Sequence, residues 1–498
     1  MSMQETAPSS RAVARSALWR LAEVVGGETV ALIVFIALAR LLAPEAFGVV
    51  ALAGVVISLG QLLLQQGLGE ALIQGPTIHE TRFATAFWCS LGLGTLLMLI
   101  VIALAVPVGV LVGDDNLGAV LLVLPLVLPI GGAAAVIQAK LLRRMAFKVV
   151  ALRVLAATTV GGIAGLGIAI AGGGVWSLVG LQITSLVVGL IVLLAADPQL
   201  PKLVFDRREA RSLVRFALPV MAAHLAKLAG TKLDIAFLAL FVTTRSVGYY
   251  FLAARLIFAL GLATQYSVNL LALPVLSRLL ADPVAFRAAA ARTLWLTVAT
   301  CLPAGLGLAL VAEPLVVIVF GATWTPSVPP LEILASMSIF SALGLISGQI
   351  LIASGKPALF LRLTIANTAL FLILVALAAP HGLAAVALAG GIANALMLPA
   401  YLLVLGRCIG LKIGTLLKDQ LPLWSAAVVM VLSVLTADAW LLDGAAPMAR
   451  LLGIIAVGLV SYTAALWLFA GDTIRDLVVS FRAPTNAGDQ RAVTSSCA

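Results

Sequence analysis

Four residues, His224, Lys227, Thr231 and Asp234, are spaced by 3, 4 and 3 in an otherwise apolar run from Phe216 to Val242. That spacing puts them on one face of an α-helix. Lys232 sits about 100° away, at the edge of the stripe. The run is long enough to cross a bilayer, because about 20 residues at 1.5 Å rise span a hydrocarbon core of about 30 Å. On an insertion scale a Lys or Asp at mid-membrane costs about 2.5–3.5 kcal/mol, so the two lysines and the aspartate together oppose insertion by roughly 8–10 kcal/mol. Such groups must face one another or a polar interior. A second set lies near the N-terminus, where Arg20, Glu23 and Glu28 flank Gly26-Gly27, and a third basic residue, Arg255, stands in a later apolar run. Arg20, Lys227, Lys232 and Arg255 are the candidate cations for an anionic head group such as a diphosphate, since guanidinium and ammonium groups pair with phosphate oxygens. Glu23, Glu28 and Asp234 are either carriers of a coupling proton or cation, or counter-ions to the bases. His224 and Thr231 are polar lining. The bland alternative is a structural Lys227–Asp234 pair with Arg20 reaching to the membrane surface.

The elements that carry these residues follow from composition. The chain has 498 residues, 62% hydrophobic and 10% charged, with a mean hydropathy of +1.16. A soluble domain is about 25% charged, so an all-α polytopic membrane protein is expected. Apolar runs of spanning length are placed near 17–40, 46–66, 83–112, 117–139, 149–171, 174–196, 216–242, 246–275, 293–320, 329–353, 358–379, 383–405, 421–440 and 449–470, about fourteen in all. They are continuous and rich in Leu, Ala and Gly, unlike the alternating strands of a barrel.

With the N-terminus inside, 25 of the 31 Lys and Arg fall at cytoplasmic loops, tails or helix ends, and only Arg40, Arg245 and Arg450 fall on the other side. This bias puts both termini in the cytoplasm. It also explains the net charge of +10 without nucleic acid. No cleaved signal peptide is read at the N-terminus. The segment 197–215 places Arg207, Arg211 and Arg215 on one helical face, as in an interfacial helix or a linker. Trp176, Trp324 and Trp440 fall at predicted membrane ends, as an aromatic belt would.

The halves repeat. Gly48, Leu52 and Ala53 correspond to Gly248, Leu252 and Ala253 at a shift of 200; Gly113 corresponds to Gly321 at 208, and Leu152-Arg153 to Leu361-Arg362 at 209. Six helices per half is an even number, so the repeats are parallel. The expected organisation is a tail (1–16), an N-lobe (17–196), an amphipathic linker (197–215), a C-lobe (216–405), two further helices (406–470) and a disordered tail (471–498). The four cysteines have no pairing or ligand spacing, and no metal or cofactor is expected. There is no Gly-rich phosphate loop, no zinc-protease motif and no nucleophile elbow. No long outer loop is available for a glycosyltransferase or polymerase site, so an enzyme is not the expected reading.

Several stretches resemble a known family. They are Ala39-Arg40-Leu41-Leu42-Ala43-Pro44-Glu45-Ala46-Phe47-Gly48, Gly67-Leu68-Gly69-Glu70-Ala71-Leu72-Ile73-Gln74 with Thr85-Ala86-Phe87-Trp88, Leu273-Pro274-Val275-Leu276-Ser277-Arg278-Leu279 with Asp282-Pro283, and Ala312-Glu313-Pro314-Leu315 with Gly321-Ala322-Thr323-Trp324. The chain resembles Wzx-type (WzxC-like) polysaccharide flippases of the multidrug/oligosaccharidyl-lipid/polysaccharide exporter superfamily. That resemblance implies two six-helix lobes in a V shape, alternating access, and an undecaprenyl-diphosphate-linked oligosaccharide carried from the cytoplasmic to the periplasmic leaflet of a bacterial inner membrane. Partners would be the lipid-linked substrate, membrane lipids, and a polysaccharide polymerase and co-polymerase. Leu233-Asp234 matches a family NLDN-like position, but Lys232 and Ile235 stand where the family has asparagines. A cation-coupled drug or metabolite antiporter of the same superfamily is the alternative, and it would favour a cavity dominated by carboxylates.

Overall fold

Helix starts and stops are written into the chain chemically. Asp114, Asp206, Thr243 and Asp282 each accept backbone N–H bonds at the first turn of a helix, satisfying donors that the helix cannot. Pro44, Pro283 and Pro357 occupy first-turn positions, where a missing N–H costs nothing. The computed structural model describes residues 19–69, 72, 79–198, 201–441 and 444–482, without the side chains of 66–68, 216, 219, 220, 222–233, 266–275, 472–474 and 476–482.

The helices are α1 (Trp19–Leu41), α2 (Pro44–Leu62, continued by a π-helical stretch Leu63–Gly69), α3 (Glu80–Val112), α4 (Asp115–Arg143), α5 (Phe147–Ile170) and α6 (Trp176–Ala196). After them come α7 (Arg207–Leu238), α8 (Thr244–Arg278), α9 (Pro283–Leu310), α10 (Val328–Ala353), α11 (Pro357–Ala378) and α12 (Leu383–Ile409). The chain closes with α13 (Ile413–Trp440) and α14 (Pro447–Arg482). Among the described residues, thirteen of these are long and apolar enough to cross a membrane. The fourteenth, α7, has 32 residues, about 48 Å of helix. The chain is an all-α, multi-pass membrane protein, and among the described residues there is no strand.

Two corrections concern boundaries. The second part of the expected linker (207–215) and the seventh span are one continuous helix from Arg207 to Leu238, which starts at the Asp206 cap. Before it, residues 201–206 are non-helical and pinned to α3: Trp88 Nε1 donates to Lys202 O (3.0 Å), and Lys202 pairs with Glu80 (2.9 Å). The tail expected to be disordered from 471 is helical as far as Arg482, beyond a kink at Ala470 (φ −129°, ψ 18°); residues 483–498, like 1–16, lie outside the described residues.

The repeat is visible in packing. In the first half α3 packs on α4, α5 on α6, α4 on α6 and α1 on α5; in the second α9 packs on α10, α11 on α12, α10 on α12 and α7 on α11. The backbone repeats as well. Positive φ occurs at Gly113, Met145 and Gly172 after α3, α4 and α5, and again at Gly321, Gly355 and Gly382 before α10, α11 and α12. Helices α13 and α14 pack on each other and against α9, where Tyr462 donates to Ala299 O (3.0 Å).

The two lobes meet along α2 and α8. Their crossing is at Gly48 and Gly248, where added Cβ atoms would stand 1.8 Å from Thr244 O and 2.0 Å from Pro44 O respectively. Only glycine permits that approach. Around the crossing Glu45 pairs with Arg245 (3.1 Å), and Arg40 donates to the carbonyls of Ile318 and Val319. Trp324, expected in an aromatic belt, is instead fully buried and donates to Ala39 O across the lobes (2.9 Å). Its ring meets Phe47, and Phe35 meets Phe251 and Phe320, with centroids 5.3–6.2 Å apart. A tryptophan near a membrane end has two fates, and sequence position alone does not separate them. Trp176 and Trp440 are exposed, as expected of a belt.

Candidate functional site

Among the described charges within helices, Glu23, Glu28, Arg153, Asp234 and Arg255 stand on α1, α5, α7 and α8. Glu28 of α1 forms an ion pair with Arg255 of α8, joining the two lobes. Their side chains are 23% and 18% exposed. Glu28 Oε1 is buried against Arg255 yet receives no hydrogen bond of normal direction. The guanidinium also lies 5.5 Å from the Phe258 ring centroid, within cation–π range. A cavity of about 190 Å³ adjoins it, walled by Arg255, Thr158 and Gln182 and by apolar residues of α1, α2 and α6.

Towards the Arg143 end of the bundle, Arg20 pairs with Glu23 (2.9 Å). Glu23 also acts electrostatically on Arg153 of α5, whose Nη1 donates to Gln138 Oε1 of α4 (2.6 Å). Arg153 and Gln138 are polar members that sequence reasoning passed over as parts of clean apolar helices. The available signal was an arginine six residues inside an apolar run, repeated as Arg362 in the second half. Asp234 is part-buried and accepts from Tyr250 Oη (2.9 Å), which ties it to α8.

Of the residues singled out above, the structure brings together Glu28 with Arg255 and Arg20 with Glu23, and holds Asp234 on Tyr250. The side chains of His224, Lys227, Thr231 and Lys232 lie outside the described residues. Among the described residues, α1 is tied to the second lobe by Glu28, Phe35, Ala39 and Arg40. Helix α7 bridges the lobes on the other flank. Its first half buries Leu213 and Ala217 among Leu72, Phe83 and Ala134 of the N-lobe, while Ile235 and Leu238 join a cluster with Val247 and Val375. A separate recess of about 430 Å³, lined by residues such as Leu260, Pro303, Met430, Ile454 and Tyr462, is almost wholly apolar.

No group of three or more His, Cys, Asp or Glu suited to a metal occurs among the described residues. What the arrangement offers is a guanidinium paired with a carboxylate across the lobe boundary, with a second carboxylate, Asp234, held by Tyr250 within the second lobe. The fold and its inter-lobe charges define a two-lobed, all-α, multi-pass membrane protein. Residues 37–329 match the family described as "Polysaccharide biosynthesis protein", and the chain belongs to that family.

The succinoglycan biosynthesis transport protein ExoT of Rhizobium meliloti (strain 1021) is 24% identical over 327 residues, covering 66% of each chain. The lipopolysaccharide biosynthesis protein WzxC of Escherichia coli (strain K12) is 21% identical over 345 residues, covering 67% of this chain and 68% of that one. The matched regions thus span about two thirds of those relatives' lengths. Among solved structures, lipid II flippase MurJ in an inward closed conformation superposes with a TM-score of 0.77 at 14% identity, covering 92% of this chain and 100% of that one. That superposition shows a shared fold over most of the chain.

Proposed function

We propose that the chain flips a polyprenyl-diphosphate-linked oligosaccharide from the cytoplasmic to the outer leaflet of a bacterial inner membrane, for assembly of an exported or surface polysaccharide. The observation that carries this reading is Arg255, a cation held within the membrane at the boundary between the lobes, in a chain of the polysaccharide biosynthesis family. The relatives named above, a transport protein and a lipopolysaccharide biosynthesis protein, support the same role. The basic residues of the Arg143 end favour the cytoplasm for that side and for both termini. The three arginines that break the charge rule each have a local partner: Arg40 holds carbonyls, Arg245 holds Glu45, and Arg450 holds Asp438 through two bonds of 2.7 and 2.8 Å. On that orientation the Gly48–Gly248 crossing closes the outer side, and the substrate's diphosphate enters between α1 and α8 from the cytoplasm.

No chemical step is assigned to the chain; the lipid-linked glycan leaves as it arrived. Lys227 and Lys232 are further candidate cations along the path, and polymerase and co-polymerase are the expected downstream partners. The test is deletion of the gene followed by extraction of lipid-linked sugars. Loss of the polymer with accumulation of its lipid-linked unit on the cytoplasmic leaflet is expected, reversed by the intact gene. Normal polymer with altered tolerance to drugs or cations would instead favour an antiporter.

A further inference from the structure

At the Arg143 end of the bundle, away from the lobe boundary, a recess of about 270 Å³ lies between α9 and the start of α13. Its walls include Arg287 and Ala291 of α9, Gly410 and Lys412 of the α12–α13 turn, and Thr415 and Asp419 of α13. Two cations and a carboxylate therefore share one recess. Arg287 is fixed in place: its Nε donates to Pro283 O (3.0 Å), and its Nη1 lies against the turn, 3.3 Å from where a Cβ on Gly410 would stand. Lys412 and Asp419 are seven residues apart, about 10 Å along the helix axis, which is beyond the i, i+4 spacing at which neighbouring side chains pair directly. Among the described ion pairs, none includes Arg287, Lys412 or Asp419. Opposite charges thus line one recess with space between them.

The depth of the recess limits what can fill it. In α13 the apolar run 421–440 covers about 30 Å, the thickness of the hydrocarbon core. In α9 the apolar run begins at 293. Residues 287–291 and 412–419 therefore stand just outside the hydrocarbon, at the level of lipid head groups. Lys412, Thr415 and Asp419 are exposed, so the recess opens at that level, and the buried Leu416 forms its inner wall. A phosphate suits the guanidinium and the ammonium of the two bases, and a primary ammonium suits the carboxylate. A purely anionic head group would set a like charge against Asp419, and a choline head group has no N–H to donate to it.

We infer that this recess binds the zwitterionic head group of a membrane phosphatidylethanolamine, with its phosphate on Arg287 and Lys412 and its ammonium on Asp419. No covalent bond changes. The bound lipid bridges α9 and α13 and so fastens the C-terminal helix pair to the second lobe. The site is separate from the inter-lobe charges and does not depend on what the chain transports.

Purified protein in detergent would be titrated with phosphatidylethanolamine, phosphatidylglycerol or phosphatidylcholine of matched acyl chains, and the first bound lipid counted by native mass spectrometry. The unsubstituted protein is expected to hold phosphatidylethanolamine about fivefold more tightly than either other lipid, or better, as one charged hydrogen bond provides. Asp419→Ala is expected to bring phosphatidylethanolamine down to the level of phosphatidylcholine while leaving phosphatidylcholine unchanged. Arg287→Gln with Lys412→Gln is expected to weaken all three about tenfold. Where that double substitution does not fold, Lys412→Gln alone, at an exposed turn position, takes its place, and unchanged binding of all three lipids would overturn the phosphate assignment. Glycerophosphoethanolamine at the same concentration is expected to leave the lipid bound; displacement by it would mean that the recess takes a soluble head group and would overturn the membrane-lipid assignment. Equal retention of the three lipids by the unsubstituted protein would mean an ordinary lipid shell and would overturn the site. A preference for phosphatidylglycerol that survives Asp419→Ala would mean a plain anion site and would overturn the zwitterion.

Discussion

Gly48→Ala tests the closure of the lobes at a single methyl group. The new Cβ would lie 1.8 Å from Thr244 O and 2.7 Å from Thr244 C. A carbon meets a carbonyl oxygen at about 3.3 Å, so α2 and α8 must separate by about 1.5 Å at their crossing. Both neighbours are backbone, and no side chain can swing aside. Overpacking of this kind costs about 1–3 kcal/mol; at 2 kcal/mol the closed arrangement loses about thirtyfold in population to any arrangement with the helices apart. The gain in helix propensity from Gly to Ala, about 1 kcal/mol, is present wherever α2 is helical and cancels between the two. The readout is cross-linking of Glu45→Cys to Arg245→Cys by a short bis-thiol reagent in a protein without its native cysteines, since the native side chains reach each other across the boundary (3.1 Å). Cross-linking should fall steeply in Gly48→Ala. Gly54→Ala is the control, because nothing stands within 4 Å of a Cβ there. If Gly48→Ala cross-links as fast as Gly54→Ala, the glycine crossing does not hold the lobes together and the reasoning fails.

Two further outcomes follow from the same structure. Met145 has φ 57° while its repeat counterpart is Gly355 (φ 75°), and a left-handed non-glycine residue costs about 1–2 kcal/mol; since Met145 is 57% exposed and packs little, Met145→Gly should raise the thermal midpoint in detergent, and a lowered midpoint would contradict the assigned strain. Asp197 is 5% exposed and shared by Lys140 (2.6 Å) and Arg144 (3.6 Å), so Asp197→Ala should destabilise the α4–α6 contact by about 3 kcal/mol, seen as a lower midpoint and less protein in the membrane; an unchanged midpoint would argue that the cations are satisfied elsewhere.

The fold was legible where one physical term dominates. Continuous apolar runs announced the spans, and an almost constant shift of 200–209 announced the parallel repeat, which the paired left-handed turns at Gly113 and Gly321, Met145 and Gly355, and Gly172 and Gly382 support. What was not legible was partner choice. Glu28 and Arg255 stood out individually as charges in apolar runs, but each had nearer candidates along the chain, and only the crossing of α1 by α8 decides between them. Trp324 misled because amphipathic chemistry suits both a membrane interface and a buried donor; its acceptor, Ala39 O, belongs to the other lobe. Arg207–Leu238 was divided in two because hydropathy changes at Phe216 while the backbone does not. Arg153 entered only as a marker of the repeat, because a single charge does little to the mean hydropathy of a 24-residue helix.

Glu45 and Arg245 occupy the same position in the two halves, 200 residues apart, and they face each other across the lobe boundary. In a dimer of two identical half-length chains, a position beside the twofold axis meets its own copy. Such a dimer could place only glutamate against glutamate there, or arginine against arginine. Opposite charges at this site require that the two halves have diverged, as they are free to do within one polypeptide. The pair is therefore a mark of fusion: it makes each half specific for the other and denies either half a stable partner of its own kind at that contact.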